Sequence, residues 1–248
     1  MQIKEKIKLI NNLRAKIKKK ASIGSWVQFN SFGIIESMCV DYFDWLCLDM
    51  EHGEIRNDDL IKNITAIENN NKLAFVRLSV SNEENCKISL ESGAAGIIFP
   101  NFKNHQEVID IVKYTDYKLS RGSGFSRCNS YGKNLIENFK LKPFIVVMIE
   151  NVEIIDDLKN VLKIPNIDAY LIGPYDLYNS FINNGGYKKD FEKYLNKLIK
   201  ELTRNKKIFG IHVVEPDKKI LNKRVKQGFK FIPYGIDSTF LNKSLKIK

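Results

Sequence analysis

Asp44-Trp45-Leu46-Cys47-Leu48-Asp49-Met50-Glu51-His52-Gly53 is a short apolar run that breaks abruptly into two carboxylates and an imidazole. A buried strand has no use for that cluster at its exit, whereas an active site at the carboxyl end of a barrel strand is assembled from such residues. The transition recurs twice. Phe144-Ile145-Val146-Val147-Met148-Ile149 runs into Glu150, and Tyr170-Leu171-Ile172-Gly173-Pro174 runs into Tyr175-Asp176. These exits converge only if the strands are parallel and end on one side of a common sheet.

The rest of the chain has the form such a sheet needs. Short apolar runs at 26–29, 45–48, 74–78, 96–99, 144–149, 170–172, 208–213 and 229–234 alternate with charged, helix-compatible segments at 58–69, 82–92, 105–114, 152–162, 188–206 and 216–227. Repeated βα units of this kind wrap a parallel sheet, and eight strands in 248 residues fit a closed (β/α)8 TIM barrel better than an open sheet. No Pro- or Ser-rich linker or internal repeat divides the sequence, so 1–248 reads as a single domain. The long connection at 117–141, with Arg121-Gly122-Ser123-Gly124 and then Ser126-Arg127-Cys128-Asn129-Ser130-Tyr131-Gly132, has the length of a lid or binding loop.

Composition narrows the function. With 44% hydrophobic residues the chain can bury a full core without staples. The formal charge is +11, but the lysines are scattered among acids, and only 16–20 is a dense basic block. No interleaving of aromatic and basic residues supports a nucleic-acid partner. Cys39, Cys47, Cys86 and Cys128 form no Cys-x-x-Cys pair, which argues against a zinc or thioredoxin-like site and fits free thiols in a reducing cytoplasm. Residues 1–20 lack the apolar core of a signal peptide, and no apolar run approaches the roughly 20 residues of a spanning helix, so no membrane role is expected. A helix covering one end of the fold is the ordinary reading of that terminus.

Candidate chemistry gathers at the strand exits. His52 beside Asp49 and Glu51 is placed either to act as a general base or to belong to a salt-bridged loop that caps the next helix. Glu150 and Asp176, brought to one barrel rim, would offer a hard-cation site for Mg²⁺ or Mn²⁺. Asp176 is equally readable as a helix-capping residue, whereas a charge directly continuing an apolar strand, as Glu150 does, needs a partner or an open site. Arg77, interrupting Phe75-Val76-Arg77-Leu78, would bind a substrate carboxylate or oxyanion, or pair with an acid of a neighbouring strand. Glu91 would orient His52 or face solvent. His105 and His212 have no comparable acidic cluster and are read as structural.

In order along the chain stand Gly24-Ser25-Trp26, Phe43-Asp44-Trp45, Asp49-Met50-Glu51-His52, Val76-Arg77, Gly93-Ala94-Ala95-Gly96-Ile97-Ile98-Phe99-Pro100, Ile149-Glu150, Ile172-Gly173-Pro174-Tyr175-Asp176-Leu177 and Gly235-Ile236-Asp237. This succession resembles the metal-dependent class II pyruvate aldolases of the 4-hydroxy-2-oxoheptane-1,7-dioate and 2-dehydro-3-deoxyglucarate aldolase type, over almost the whole chain. The resemblance implies cleavage of a 2-oxo-4-hydroxy acid to pyruvate and an aldehyde through a metal-stabilised pyruvate enolate. Glu150 and Asp176 would hold the divalent cation, Mg²⁺ or Mn²⁺, with Co²⁺ a third candidate. Arg77 would neutralise developing charge, and His52 would move protons, oriented by Glu91. Asp49, Gly173, Pro174, Tyr175 and Asp176 would contact substrate. Family members are commonly hexamers, so a homo-oligomer is implied. Three positions depart from the pattern: Met148 replaces a Gln, Tyr175 a small residue, and Glu91 an Asp. The alternatives are another enolate-forming lyase of the acyl-CoA type and a barrel with reduced or lost catalysis.

Overall fold

The structure, a computed structural model, describes residues 1–245. Its eight strands are β1 (Ser22–Val27), β2 (Trp45–Asp49), β3 (Leu73–Arg77), β4 (Gly96–Phe99), β5 (Phe144–Ile149), β6 (Ala169–Ile172), β7 (Phe209–Ile211) and β8 (Phe231–Ile236). The helices are α1 (Ile3–Lys19), α2 (Phe32–Met38), α3 (Leu60–Asn69), α4 (Glu83–Glu91), α5 (His105–Tyr114), α6 (Leu135–Asn138), α7 (Val152–Asp156), α8 (Leu158–Val161), α9 (Pro174–Asn183), α10 (Phe191–Arg204), α11 (Lys218–Lys226) and α12 (Asp237–Ser244). All strand pairs are parallel, in the spatial order β7-β6-β5-β4-β3-β2-β1-β8. The remaining seam is closed by a parallel bridge between Val213 and Tyr234 and by the Lys230 amide donating to the Phe209 carbonyl at 2.8 Å. The (β/α)8 barrel expected from the sequence is therefore what the chain forms.

Strand periodicity divides the core in two. Inward residues Trp45 and Cys47, Leu73 and Phe75, Phe144, Val146 and Met148, Leu171 and Phe231 fill the barrel interior. Their outward neighbours Leu46, Leu48, Ala74, Val76, Ile145 and Val147 join the layer between sheet and helices. The interior is aromatic: Trp45 stacks on Phe231 with centroids 4.3 Å apart, and Phe75 meets Phe144 edge-on at 5.4 Å. Each such pair is worth about 0.5–1.5 kcal/mol beyond its buried area. Gly24 makes room for this packing, because a Cβ there would lie 2.1 Å from the Trp45 ring.

α1 closes the amino-terminal end. Its buried residues Ile3, Lys6, Ile10, Leu13 and Ile17 recur at helical spacing, and Ile10, Leu13 and Ile17 join the interior aromatics as a plug. Boundaries elsewhere move by a few residues from the sequence reading. β1 starts at Ser22 rather than Trp26 because Gly24 and Ser25 pair with Trp45 and Leu46. The helix expected over 152–162 breaks at Asp157, whose carboxylate leaves the helix to receive the His105 amide and ring at 2.6 Å each. The connection at 117–141 forms short helical turns and α6 rather than an open lid.

Candidate active site

The period of two that buries the interior also builds the mouth. Continuing each inward row past its last apolar member reaches Gln28 after Trp26, Asp49 after Cys47, Arg77 after Phe75, Glu150 after Met148, Gly173 after Leu171 and His212 after Gly210. Asp49 and Arg77 are register partners on β2 and β3. Arg77 donates from Nε to Asp49 Oδ1 at 2.9 Å and from Nη2 to Oδ2 at 2.7 Å. Its Nη1 lies 2.8 Å from Glu51 Oε2, and its guanidinium sits 5.4 Å over the Trp26 ring. Burial opposes the charge on Arg77, but the bonds from Asp49 prevail and hold its pKa above the ordinary value.

Asp49 is a correction to the sequence expectation. It is 0% exposed and its oxygens are spent on Arg77, on Gln28 Nε2 at 3.0 Å and on the amides of Glu51 and His52 at 3.1 and 3.3 Å. No part of it faces substrate within this chain; it anchors Arg77 and the turn that carries His52. Burial pushes its carboxyl up, yet Arg77 overrides this and leaves it below the usual range. Gln28 is in turn fixed by the first residue of α12: its backbone amide and that of Phe29 donate to Asp237 Oδ2 at 3.0 and 2.9 Å.

Glu51 and Glu150 behave in the opposite sense. Burial raises the Glu51 carboxyl, and the charges of Asp49 and Asp176 add to the rise against Arg77 and His52. Glu150 is buried and pushed up to about 7, first by burial and then by Glu51, with the Asn101 amide on its Oε1 insufficient to reverse it. Gly173 permits this packing: a Cβ there would meet Glu150 Oε2 at 3.0 Å and Met148 Cε at 3.3 Å. The Met148 methyl and the Glu150 carboxylate thus both border the space that a side chain at Gly173 would fill. Gly173 is also the N-cap of α9, with Pro174 in its first turn followed by an exposed Tyr175 and an exposed Asp176. Pro lacks the N–H that a first helical turn cannot use, so Pro174 starts this helix at no cost. The amides of the following residues remain as donors at a positive helix end.

Among the described residues no group of three or more His, Cys, Asp and Glu side chains is arranged as a metal cluster. The donor set nevertheless suits a hard divalent cation. Glu150 and Asp176 would supply oxygen ligands; burial, then Glu51 and last Asp176 raise Glu150, and a bound cation would oppose that rise. With two carboxylates, water and substrate oxygens would complete the coordination.

His52 has a side chain 58% exposed at the mouth, its Nε2 4.0 Å from Glu51 Oε2. Glu91 does not reach it, which corrects the expected pairing. α4 runs antiparallel to the strands, so its last residue, Glu91, lies at the amino-terminal end of the barrel. There it receives Arg121 Nη2 at 2.7 Å and the Ser126 hydroxyl. His105 pairs with Asp157 on the outside. His212, read as structural, instead reaches the mouth beside Trp26. A cavity of about 350 Å³ opens next to the cluster, lined by Glu51, Ser79, Ser81, Asn101, Phe102 and Lys103 among others.

A closed parallel barrel thus gathers a buried guanidinium, an exposed imidazole and under-neutralised carboxylates at its carboxyl-end mouth, the end where enzymes of this fold carry their active sites. Residues 22–243 match the family model described as HpcH/HpaI aldolase/citrate lyase, and the chain belongs to that family; it is a carbon–carbon lyase of the aldolase kind. The 2-keto-3-deoxy-L-rhamnonate aldolase of Escherichia coli (strain K12) is 24% identical over 246 residues, spanning 96% of this chain and 91% of the relative. An HpcH/HpaI aldolase/citrate lyase family protein from Burkholderia cenocepacia J2315 shares the fold with a TM-score of 0.84, at 20% identity over 94% of this chain and 96% of that one. The citrate lyase beta subunit from M. tuberculosis, complexed with oxaloacetate and magnesium, has a TM-score of 0.54 at 10% identity, covering 94% of this chain and 100% of its own.

Proposed function

We propose that this chain is a divalent-metal-dependent aldolase that cleaves a 2-oxo-4-hydroxy acid to pyruvate and an aldehyde. The substrate belongs to the 2-keto-3-deoxy acid class for which its Escherichia coli relative is named. The observation that carries this reading is Glu150, a buried acid pushed to about 7 by burial and neighbouring acids, at the same mouth as Arg77. Glu150 and Asp176 would hold Mg²⁺ or Mn²⁺, with Co²⁺ a third candidate, and the bound cation would supply Lewis acidity toward the ketone. The amides at the start of α9 would receive the substrate carboxylate. Arg77, whose Nε and Nη2 each donate once to Asp49 while Nη1 lies within ion-pair distance of Glu51, keeps N–H groups on both Nη atoms for charge growing on the substrate oxygen. His52 would take the proton of the 4-hydroxyl as the C3–C4 bond breaks, and a proton then returns to C3 to give pyruvate.

A cytoplasmic homo-oligomer is part of the same reading. All four cysteines are free thiols, and no helix among the described residues is long and apolar enough to cross a membrane. Leu119, Phe125, Tyr131 and Ile136 expose apolar surface on the 117–141 connection, which a second copy would cover. Purified protein offered a panel of 2-keto-3-deoxy acids with Mg²⁺ or Mn²⁺ should release pyruvate; activity confined to acyl-CoA thioesters would overturn the assignment.

A further inference from the structure

His212 follows the last residue of β7, and its amide donates to the Ile172 carbonyl at 3.3 Å. Its ring lies 5.1 Å from that of Trp26, the same ring that supports the Arg77 guanidinium. Nε2 stands 3.3 Å from the Gly235 carbonyl oxygen. A carbonyl oxygen only accepts, so Nε2 carries the proton and Nδ1 presents a lone pair. Burial, reinforced by Arg77, holds the imidazole down to about 4, so the ring stays neutral. Among the described residues Nδ1 has no hydrogen-bond partner, and it is absent from the buried polar atoms that are sealed from water. The mouth therefore contains an open acceptor fixed in one tautomer.

An acceptor selects its own ligand. The pyruvate half of a 2-oxo-4-hydroxy acid carries only acceptor oxygens, in its carboxylate and ketone, and these repel a lone pair. Every hydroxyl lies on the aldehyde half. So neutral an imidazole is too weak a base to compete for the reacting proton. We propose that His212 is a specificity-determining residue that accepts, through Nδ1, a hydrogen bond from a hydroxyl of the aldehyde half, so that the enzyme favours hydroxylated aldehydes over alkyl ones. This rests on the aldolase reading of the mouth.

The test compares three reactions of the metal-loaded enzyme: exchange of pyruvate methyl protons with solvent, addition of pyruvate to lactaldehyde, and addition to propanal, which has the same carbon skeleton without the hydroxyl. His212→Leu should lower kcat/KM for lactaldehyde by about 10-fold, the cost of one lost hydrogen bond to substrate, and leave propanal and proton exchange unchanged. His212→Asn, whose amide oxygen falls near the Nδ1 position, should restore most of the lactaldehyde preference. Equal losses with both aldehydes, or none, overturn the proposal, as does a wild-type enzyme that takes both aldehydes equally well. Absence of proton exchange in the wild type would instead count against the aldolase reading itself.

Discussion

Both ends of the barrel bury charge, and they do so to opposite effect. At the amino-terminal end Glu68 meets Lys6 at 2.5 Å and Arg127 at 2.7 Å, while Glu91 meets Arg121 at 2.7 Å. Burial raises the Glu68 carboxyl, but its two cations outweigh burial and leave it below the ordinary range. At the carboxyl-terminal end Arg77 is shared between Asp49 and Glu51, and Glu150 is left to rise to about 7. Matched charge is architecture: it ties α1 and the 117–141 connection across the closed end. Unmatched charge is held in place by the fold around it, and under the proposed function a bound cation would relieve it.

The largest effect should separate the two ends by function. Glu150→Ala should reduce turnover by about 10³-fold or more while its circular dichroism stays native, because the proposed ligand to the Lewis acid is lost and no ion pair is broken. Glu68→Gln should do the reverse, leaving turnover intact in the folded fraction. It should destabilise the protein by about 3–5 kcal/mol in urea unfolding, since Lys6 and Arg127 would lose their counter-charge inside the fold. Stability against pH sharpens the contrast. Glu150 has a folded pKa of about 7 against an ordinary 4.5, so the folded state holds a proton that the unfolded state has released across that window. Its contribution is therefore present below pH 4.5 and lost as pH rises through about 7. That loss amounts to about 3 kcal/mol in metal-free protein, and Glu150→Gln should abolish it. The smallest effect belongs to neither end: breaking the exposed Arg204–Glu201 pair with Glu201→Ala should cost less than about 0.5 kcal/mol.

Much of the mouth was legible because strand parity is a local property. Asp49, Arg77 and Glu150 each extend an inward row, and their residue types jar with the apolar run before them. Their partners were less legible. Asp49 looked like a substrate contact, yet β2 and β3 pair it with Arg77, a tertiary fact that spacing within one strand does not contain. Glu91 looked like a partner for His52, but a residue that ends a helix before the next strand belongs at the closed end. Counting the chain's direction through α4 gives that answer, whereas proximity of motifs does not. His212 was passed over for want of acidic neighbours, although its parity with Gly210 on β7 pointed inward. The 117–141 connection had the length of a lid; its Arg121, Ser126 and Arg127 instead turn toward Glu91 and Glu68, contacts that depend on α3 and α4 being in place.

The exchange of pyruvate methyl protons with deuterium at about pH 8, followed by NMR, tests the unbalanced mouth most directly, because it needs the cation and the proton carrier but no aldehyde. Metal-free protein should be inert, Mg²⁺ or Mn²⁺ should start the exchange, and Glu150→Ala should stop it. Exchange that proceeds equally without metal, or that fails with Mg²⁺, Mn²⁺ and Co²⁺ alike, would contradict the account.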